Sequence, residues 1–116
     1  MDNQKKLEES KLFTPYKLGN TTLRNRVIRS AAFESMGKDF APTEALKNYH
    51  VSVARGGVGM TTVAYASINR SGISFNKQLW LRDEIVPALR DLTDAVHNEG
   101  AAVGIQLGHC GNMTHW

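Results

Sequence analysis

Two polar side chains, Gln106 and His109, follow a short apolar segment near the end of this 116-residue chain. Residues 101–105 are small and apolar, a pattern typical of a strand that is covered on both faces. In barrels of alternating strands and helices, ligands bind at the carboxyl ends of the strands. We therefore expect Gln106 to lie in a ligand-binding site.

The histidines and the single cysteine, Cys110, form no comparable pattern. His97, His109 and His115 lack the spacing of metal ligands, so no metal site is expected. A nucleophilic thiol needs a partner base, and the sequence offers Cys110 none. We interpret Cys110 as a small side chain packed in the structure. For His109 two roles are equally consistent with the sequence: it braces a loop or it contacts a ligand.

Composition excludes several classes of protein. Hydrophobic residues make up 41% of the chain and charged residues 22%, which is ordinary for a globular domain. The net charge of +3 is scattered, so we expect no nucleic-acid partner. One cysteine cannot form an internal disulfide, and no segment reads as a signal peptide or membrane span, so a cytoplasmic location without a membrane partner is expected. The polar residues 1–11 are expected to form a flexible N-terminal tail.

The first half of the chain predicts a hairpin, a strand and a helix. Gly19-Asn20 separates two short β-forming runs, as a hairpin turn does. A first strand is predicted over residues 27–32. Thr43 is a plausible N-cap for a helix that ends at Gly56-Gly57.

The second half repeats the pattern. A second strand is predicted over residues 58–64, and a long polar loop, of a kind that often carries function, over residues 67–81. Asp83 is the predicted N-cap of a second helix with Pro87 in its first turn. That helix presents one apolar stripe and closes at Glu99-Gly100; the stripe consists of Ile85, Leu89, Leu92 and Val96.

Strands that alternate with helices predict a parallel sheet with right-handed crossovers. A doubly wound sheet and part of an eightfold barrel both fit, but no Gly-x-Gly-x-x-Gly follows the first strand, which disfavours a dinucleotide-binding sheet. Three parallel strands with two helices would leave sheet edges open. The predicted fold is therefore α/β, with an N-terminal hairpin and then about three βα units from the N-terminal part of a (β/α)8 TIM barrel. Residues 12–116 are expected to form this partial barrel domain.

Three blocks of sequence resemble the old yellow enzyme family of flavin oxidoreductases. The first is residues 12–26, which begin Leu12-Phe13-Thr14-Pro15. The second is Ala54-Arg55-Gly56-Gly57-Val58-Gly59-Met60. The third is residues 95–111, which contain Gln106-Leu107-Gly108-His109-Cys110-Gly111. Their order and distances match the family over nearly the whole chain from Leu12.

This resemblance implies a TIM barrel that holds FMN at its C-terminal face. It implies hydride transfer from NADH or NADPH through the flavin to an electron-poor alkene or a similar small-molecule substrate, with the protein holding and tuning the cofactor. A homo-oligomer is possible for the full-length protein.

Site residues follow from the resemblance position by position. Gln106 matches the glutamine that binds the pyrimidine edge of the flavin, a role that suits an amide because it offers both a donor and an acceptor. Ser30, Ala31 and Ala32 match the end of the first strand, where backbone groups approach the flavin. Tyr65 falls near a flavin-contacting position that is usually small.

The sequence also departs from the family. Ala32 stands where a related subgroup has threonine, and Asn112 stands where the family usually has arginine and so lacks its charge. The proton donor, the substrate-binding pair and the phosphate loops of the family match no position up to residue 116, so no catalytic residue is assigned and little or no turnover is expected of this chain alone. The alternative is a truncated or degenerate relative that acts as a non-catalytic protein-interaction module. A small doubly wound binding domain outside the family is disfavoured.

Overall fold

A computed structural model describes residues 3–114 of the chain. These residues form a two-stranded hairpin followed by a four-stranded parallel sheet with helices packed on it. The strands are β1 (Tyr16–Leu18), β2 (Thr21–Leu23), β3 (Ile28–Arg29), β4 (Met60–Ser67), β5 (Leu79–Trp80) and β6 (Ala102–Gly108). The helices are α1 (Asn3–Glu8), α2 (Glu44–Arg55) and α3 (Val86–Asn98).

The predicted hairpin is confirmed. Strands β1 and β2 pair antiparallel, and the two residues between them are Gly19 and Asn20. Gly19 has a φ of +59°, a conformation that glycine adopts without the steric cost of a Cβ. Helix α1 precedes the hairpin and contains no buried residue. It lies within the predicted N-terminal tail of residues 1–11, of which residues 1 and 2 are outside the described range.

Strand β4 is the centre of the parallel sheet. It pairs with β3 at Met60 and Thr61, with β5 at Ala66 and Ser67, and with β6 along most of its length. The predicted alternation of parallel strands and helices is therefore confirmed. Because all the strands run in one direction, their carboxyl ends meet at one edge of the sheet.

The strand boundaries differ from the predicted ones. Strand β4 covers residues 60–67 instead of 58–64. The backbone N–H groups of Gly56 and Gly57 still donate to carbonyls of α2, and Gly59 is the first residue that bonds to both neighbouring segments, at Val27 and Ala102. Strand β3 stops at Arg29 instead of residue 32. The Arg29 guanidinium accounts for this early end, since it binds the carbonyl oxygens of Ser30 and Ala32 and folds the backbone away from the sheet.

The two long helices begin differently. Thr43 caps α2 as predicted, because its Oγ1 accepts the backbone N–H of Leu46 at 3.1 Å. The predicted Asp83 cap is wrong. Asp83 opens a 3₁₀ turn that continues into α3, and Ile85, the residue before α3, already has helical dihedral angles. Ile85 therefore lacks the extended conformation that lets a side chain cap a helix, and neither the 3₁₀ turn nor α3 begins with a side-chain cap hydrogen bond.

The core lies between the sheet and the two long helices. The predicted stripe of α3 faces it, with Ile85, Leu92 and Val96 buried and Leu89 packed at its edge. Helix α2 contributes Leu46 and Ala54. The remaining members come from the strands and their flanks: Val63, Ala66, Leu79 and Ala101.

Polar contacts connect the elements around this core. Arg24, just after the hairpin, donates to the carbonyl oxygens of Ala54, Val58 and Glu99 at 2.6, 3.1 and 2.7 Å. It thereby satisfies carbonyls at the ends of both long helices. Lys47 contacts Asp91 on α3 and Glu44 on its own helix, and these hydrogen bonds raise the pKa of Lys47.

None of the helices among the described residues is both long and apolar enough to cross a membrane.

Candidate functional site

A cavity of about 280 Å³ lies at the carboxyl ends of β4 and β6. Its walls combine the two strand ends with the loop that follows β4. The lining residues are Tyr65, Gly72, Ser74, Gln78, Gln106, Leu107, Gly108, His109 and Cys110. The volume and the mixed apolar and polar lining are those of a small-molecule site.

Gln106 and Tyr65 sit side by side at this edge of the sheet. The pairing of β4 and β6 skips between Val63 and Ala66, so that Ala64 and Tyr65 together lie opposite Gln106. The Gln106 side chain is exposed and makes no hydrogen bond to another described residue. Its amide donor and acceptor are therefore both free to bind a ligand.

The hydroxyl of Tyr65 is anchored to the loop after β4. It lies 2.6 Å from Ser74 Oγ, and Ser74 Oγ donates to Gln78 Oε1 at 2.8 Å. Ser74 and Gln78 are 7% and 1% exposed. The segment predicted as a long polar loop is therefore partly an inner wall of the cavity, and it also contains the short strand β5.

Three aromatic rings cluster beside the cavity. The Phe33 ring lies 5.0 Å from the Tyr65 ring and 5.6 Å from the Phe75 ring, measured between centroids. Phe33 and Phe75 keep 38% and 50% of their surface exposed. The rim of the cavity therefore offers apolar surface to a ligand.

His109 braces a loop. Its Nδ1 accepts the backbone N–H of Gly111 at 3.0 Å, so Nε2 carries the proton of the neutral ring and donates to Ser71 Oγ at 3.1 Å. Gly72 packs directly under this ring, since a Cβ there would come within 2.6 Å of His109 Cδ2. Cys110 is half-buried in the cavity wall.

Ser30, Ala31 and Ala32 lie outside the lining of this cavity. They belong to the loop after β3, whose next residue, Phe33, contacts the Tyr65 ring in a tilted arrangement. Their side chains are small, with Ser30 and Ala32 exposed and Ala31 half-buried, and Arg29 binds the carbonyl oxygens of Ser30 and Ala32. The structure thus brings Gln106 and Tyr65 into one site and places the other three residues beside it.

A buried ionic network holds this loop against β4. The Glu34 side chain is 1% exposed, and its carboxylate contacts His50 Nε2 at 2.8 Å and Arg29 Nη1 at 3.3 Å. It also accepts the backbone N–H of Ala64 at 3.2 Å. His50 is fully buried on α2, and its Nδ1 lies 2.7 Å from Thr61 Oγ1 on β4. Glu34 therefore connects the loop, the helix and the central strand.

Sequence reasoning missed Glu34, Ser74 and Gln78. Arg29 could have indicated Glu34, because an arginine within a strand requires a partner. The length of the loop after β4 could have indicated Ser74 and Gln78. No group of three or more metal-ligating side chains occurs within residues 3–114.

A family model for the NADH:flavin oxidoreductase / NADH oxidase family matches residues 11–115. The chain belongs to this family. Its partial TIM-barrel fold agrees with the old yellow enzymes of known structure, and the resemblance seen in the sequence is confirmed. FMN and NAD(P)H, the expected cofactors, are those of this family.

Individual relatives are longer than this chain. It is 45% identical over 100 residues to the 4,4'-dithiodibutanoate disulfide reductase of Rhodococcus erythropolis, covering 86% of this chain and 25% of that protein. It is 40% identical over 106 residues to the NADPH dehydrogenase of Listeria welshimeri, covering 88% and 31%. The old yellow enzyme homologue of Zymomonas mobilis superposes with a TM-score of 0.81 at 27% identity, covering 90% and 30%.

The residues present fit a flavin. An unpartnered amide at a strand end can pair with a heterocycle edge that presents both donors and acceptors. The small side chains after β3 allow a flat ring system to approach the backbone. Both features lie at the carboxyl edge of the parallel sheet, where ligands of such folds bind.

Proposed function

We propose that this chain forms the first part of the FMN site of an NAD(P)H-dependent oxidoreductase whose substrate is an electron-poor alkene or a similar small molecule. The main support for this proposal is the amide of Gln106, which has no hydrogen-bond partner among the described residues and lies at the carboxyl edge of the sheet, beside the cavity of about 280 Å³. Family membership supports the reaction class. Bound FMN supplies hydride transfer, and the chain supplies binding and orientation.

Each candidate residue has a distinct part in this proposal. Gln106 binds the pyrimidine edge of the flavin through its donor and its acceptor. Ser30, Ala31 and Ala32 provide a close backbone surface for the ring. Tyr65 forms the neighbouring wall, where Ser74 fixes its hydroxyl.

We propose further that the 116-residue chain by itself does not turn over NADH. It spans only 25–31% of the two relatives compared by sequence. The cavity is built from two strand ends and one loop, so a ligand in it stays exposed to solvent. Efficient hydride transfer requires a site that excludes water.

A titration of FMN tests the proposed site. Quenching of flavin fluorescence gives the dissociation constant for the wild-type chain, Gln106→Ala and the control Gln4→Ala on α1. Loss of two hydrogen bonds, each contributing about fivefold to the affinity, should weaken binding about 25-fold in Gln106→Ala. The control should bind like the wild type. Absence of FMN binding, or equal affinities in all three chains, would refute the proposal.

A second candidate function is a non-catalytic protein-interaction module. The supporting observation is β6, which among the described residues pairs only with β4 and so keeps one edge open. Open edges pair readily with other chains. A chain that binds a partner protein through β6 but not FMN would favour this function over the first.

A further inference from the structure

The side chains of Tyr65, Ser74 and Gln78 form a chain of hydrogen bonds in the cavity wall. The contacts of Gln78, at its inner end, determine which atom is the donor in each of these bonds. Gln78 Oε1 accepts the backbone N–H groups of Ser74 and Phe75 at 2.7 and 3.0 Å. Gln78 Nε2 donates to the carbonyl oxygen of Leu79 at 3.1 Å. Because backbone N–H groups only donate and a carbonyl only accepts, these contacts admit one orientation of the amide.

The proton of Ser74 follows from that orientation. Ser74 Oγ lies 2.8 Å from Gln78 Oε1, which can only accept, so the single hydroxyl proton of Ser74 points to Gln78. Tyr65 Oη lies 2.6 Å from the same Ser74 oxygen. Tyr65 must then be the donor in this second bond. Its only proton is committed to Ser74, and its oxygen has lone pairs alone to offer to a ligand.

We propose that Tyr65 is a specificity-determining hydrogen-bond acceptor, which selects substrates that carry a hydroxyl or N–H group. The same proton assignment means that Tyr65 does not act as a proton donor to the substrate. This inference rests on the proposed flavin site for its choice of ligand. The pyrimidine edge of a flavin has one N–H between two carbonyls, and Gln106 is the proposed partner of that N–H. The pyrimidine edge then offers Tyr65 no donor, and we assign the donor to the substrate.

The surroundings of Tyr65 indicate the rest of the substrate. Its ring packs against Phe33 at an interplanar angle of 40°, and Phe75 stacks on the Phe33 ring. Aromatic side chains pair favourably with other aromatic rings. A substrate with an aromatic or flat apolar body and one donor group fits this wall.

Two small ligands of nearly equal size test the polarity of the wall. 1-Phenylethanol carries a hydroxyl donor, whereas acetophenone has only a carbonyl acceptor. Dissociation constants are measured by NMR titration, without FMN and with saturating FMN. We expect the wild-type chain to bind the alcohol about fivefold more tightly than the ketone, the value of one net hydrogen bond.

Variants separate the hydrogen bond from general effects on the fold. Tyr65→Phe keeps the ring packed against Phe33 and removes the acceptor, so the preference for the alcohol should vanish. Ser74→Ala removes the group that holds the phenol proton. Tyr65 can then donate to a ligand, and the preference should shift to the ketone. Tyr16→Phe, on the hairpin, is the control and should leave the fivefold ratio unchanged. Amide spectra of each variant report whether the fold is retained.

Equal affinities for the two ligands in the wild-type chain, or no binding of either, would overturn the inference. An unchanged preference in folded Ser74→Ala would overturn it as well. A loss of FMN affinity in Tyr65→Phe would show that the hydroxyl faces the flavin instead of the substrate, which contradicts the assignment. The two proposals fail in different measurements. A chain that does not bind FMN would refute the proposed function, but it can still show the preference for the alcohol in the titration without FMN.

Discussion

Glu34 shows how a buried charge can be accommodated in this chain. Its carboxylate lies against Arg29, His50 and the backbone N–H of Ala64. The hydrogen bonds are complete with a neutral His50, because Nε2 donates to Glu34 while Nδ1 accepts the hydroxyl proton of Thr61. Arg29 then supplies the balancing positive charge. A buried ion pair with all its hydrogen bonds made is stable, whereas one that loses a partner is not.

Glu34→Gln should therefore lower the free energy of unfolding by about 3 kcal/mol, because it leaves Arg29 without its balancing charge. Glu44→Gln is the matched control. Glu44 contacts Lys47, but its side chain is 75% exposed, and a surface ion pair contributes less than about 1 kcal/mol. Urea unfolding followed by circular dichroism measures both variants. Similar losses in the two variants would contradict the assigned role of Glu34.

Individual residues differ in how far the sequence predicts them. A local pattern predicted Gln106 at the end of a strand covered on both faces. The structure places Gln106 near the carboxyl end of β6, beside the cavity, but the covered strand is wrong, because β6 is only half-buried and keeps one edge open among the described residues. The Tyr65–Ser74–Gln78 chain depends on a loop that folds back onto β4, and Glu34 contacts residues 16 and 30 positions away. Contacts of this kind depend on the tertiary fold, and no local periodicity encodes them.

The starts of α2 and α3 provide a matched pair at the scale of elements. Thr43→Ala should cost about 1 kcal/mol of stability, because the backbone N–H of Leu46 loses its acceptor. Asp83→Ala should cost less than half as much, since α3 begins through a 3₁₀ turn without a side-chain cap. Thermal and urea unfolding of both variants measure the difference. A larger loss in Asp83→Ala would mean that its carboxylate stabilises the start of α3 after all.

Helices and strands were predictable here because apolar residues recur with the period of each element. The stripe from Ile85 to Val96 and the alternation of elements were sufficient to predict a parallel sheet. The ends of elements were less predictable. The early end of β3 depends on Arg29 binding carbonyls of its own loop, and the start of α3 depends on a turn that looks like a cap in the sequence.

At the scale of the whole molecule, β6 has one hydrogen-bonded neighbour among the described strands. Apolar side chains along it and α3 enclose a groove lined by Val63, Leu89, Leu92, Val103 and Ile105, together with Thr93 and Gly104. In a closed barrel both edges of every strand are paired. The isolated chain therefore combines an unpaired strand edge with exposed apolar surface, and both promote association between copies.

We therefore expect the isolated chain to self-associate with rising concentration, and a charge on β6 to oppose this. Leu107 is 52% exposed at the end of β6, so Leu107→Lys places a solvated ammonium on the open strand without emptying the core. Edge charges of this kind block strand pairing. Leu12→Lys, at a position 45% exposed outside the parallel sheet, adds the same charge as a control. Sedimentation velocity over a concentration series should show Leu107→Lys as the smaller species. Equal suppression by both variants would mean that net charge, and not the β6 edge, governs association.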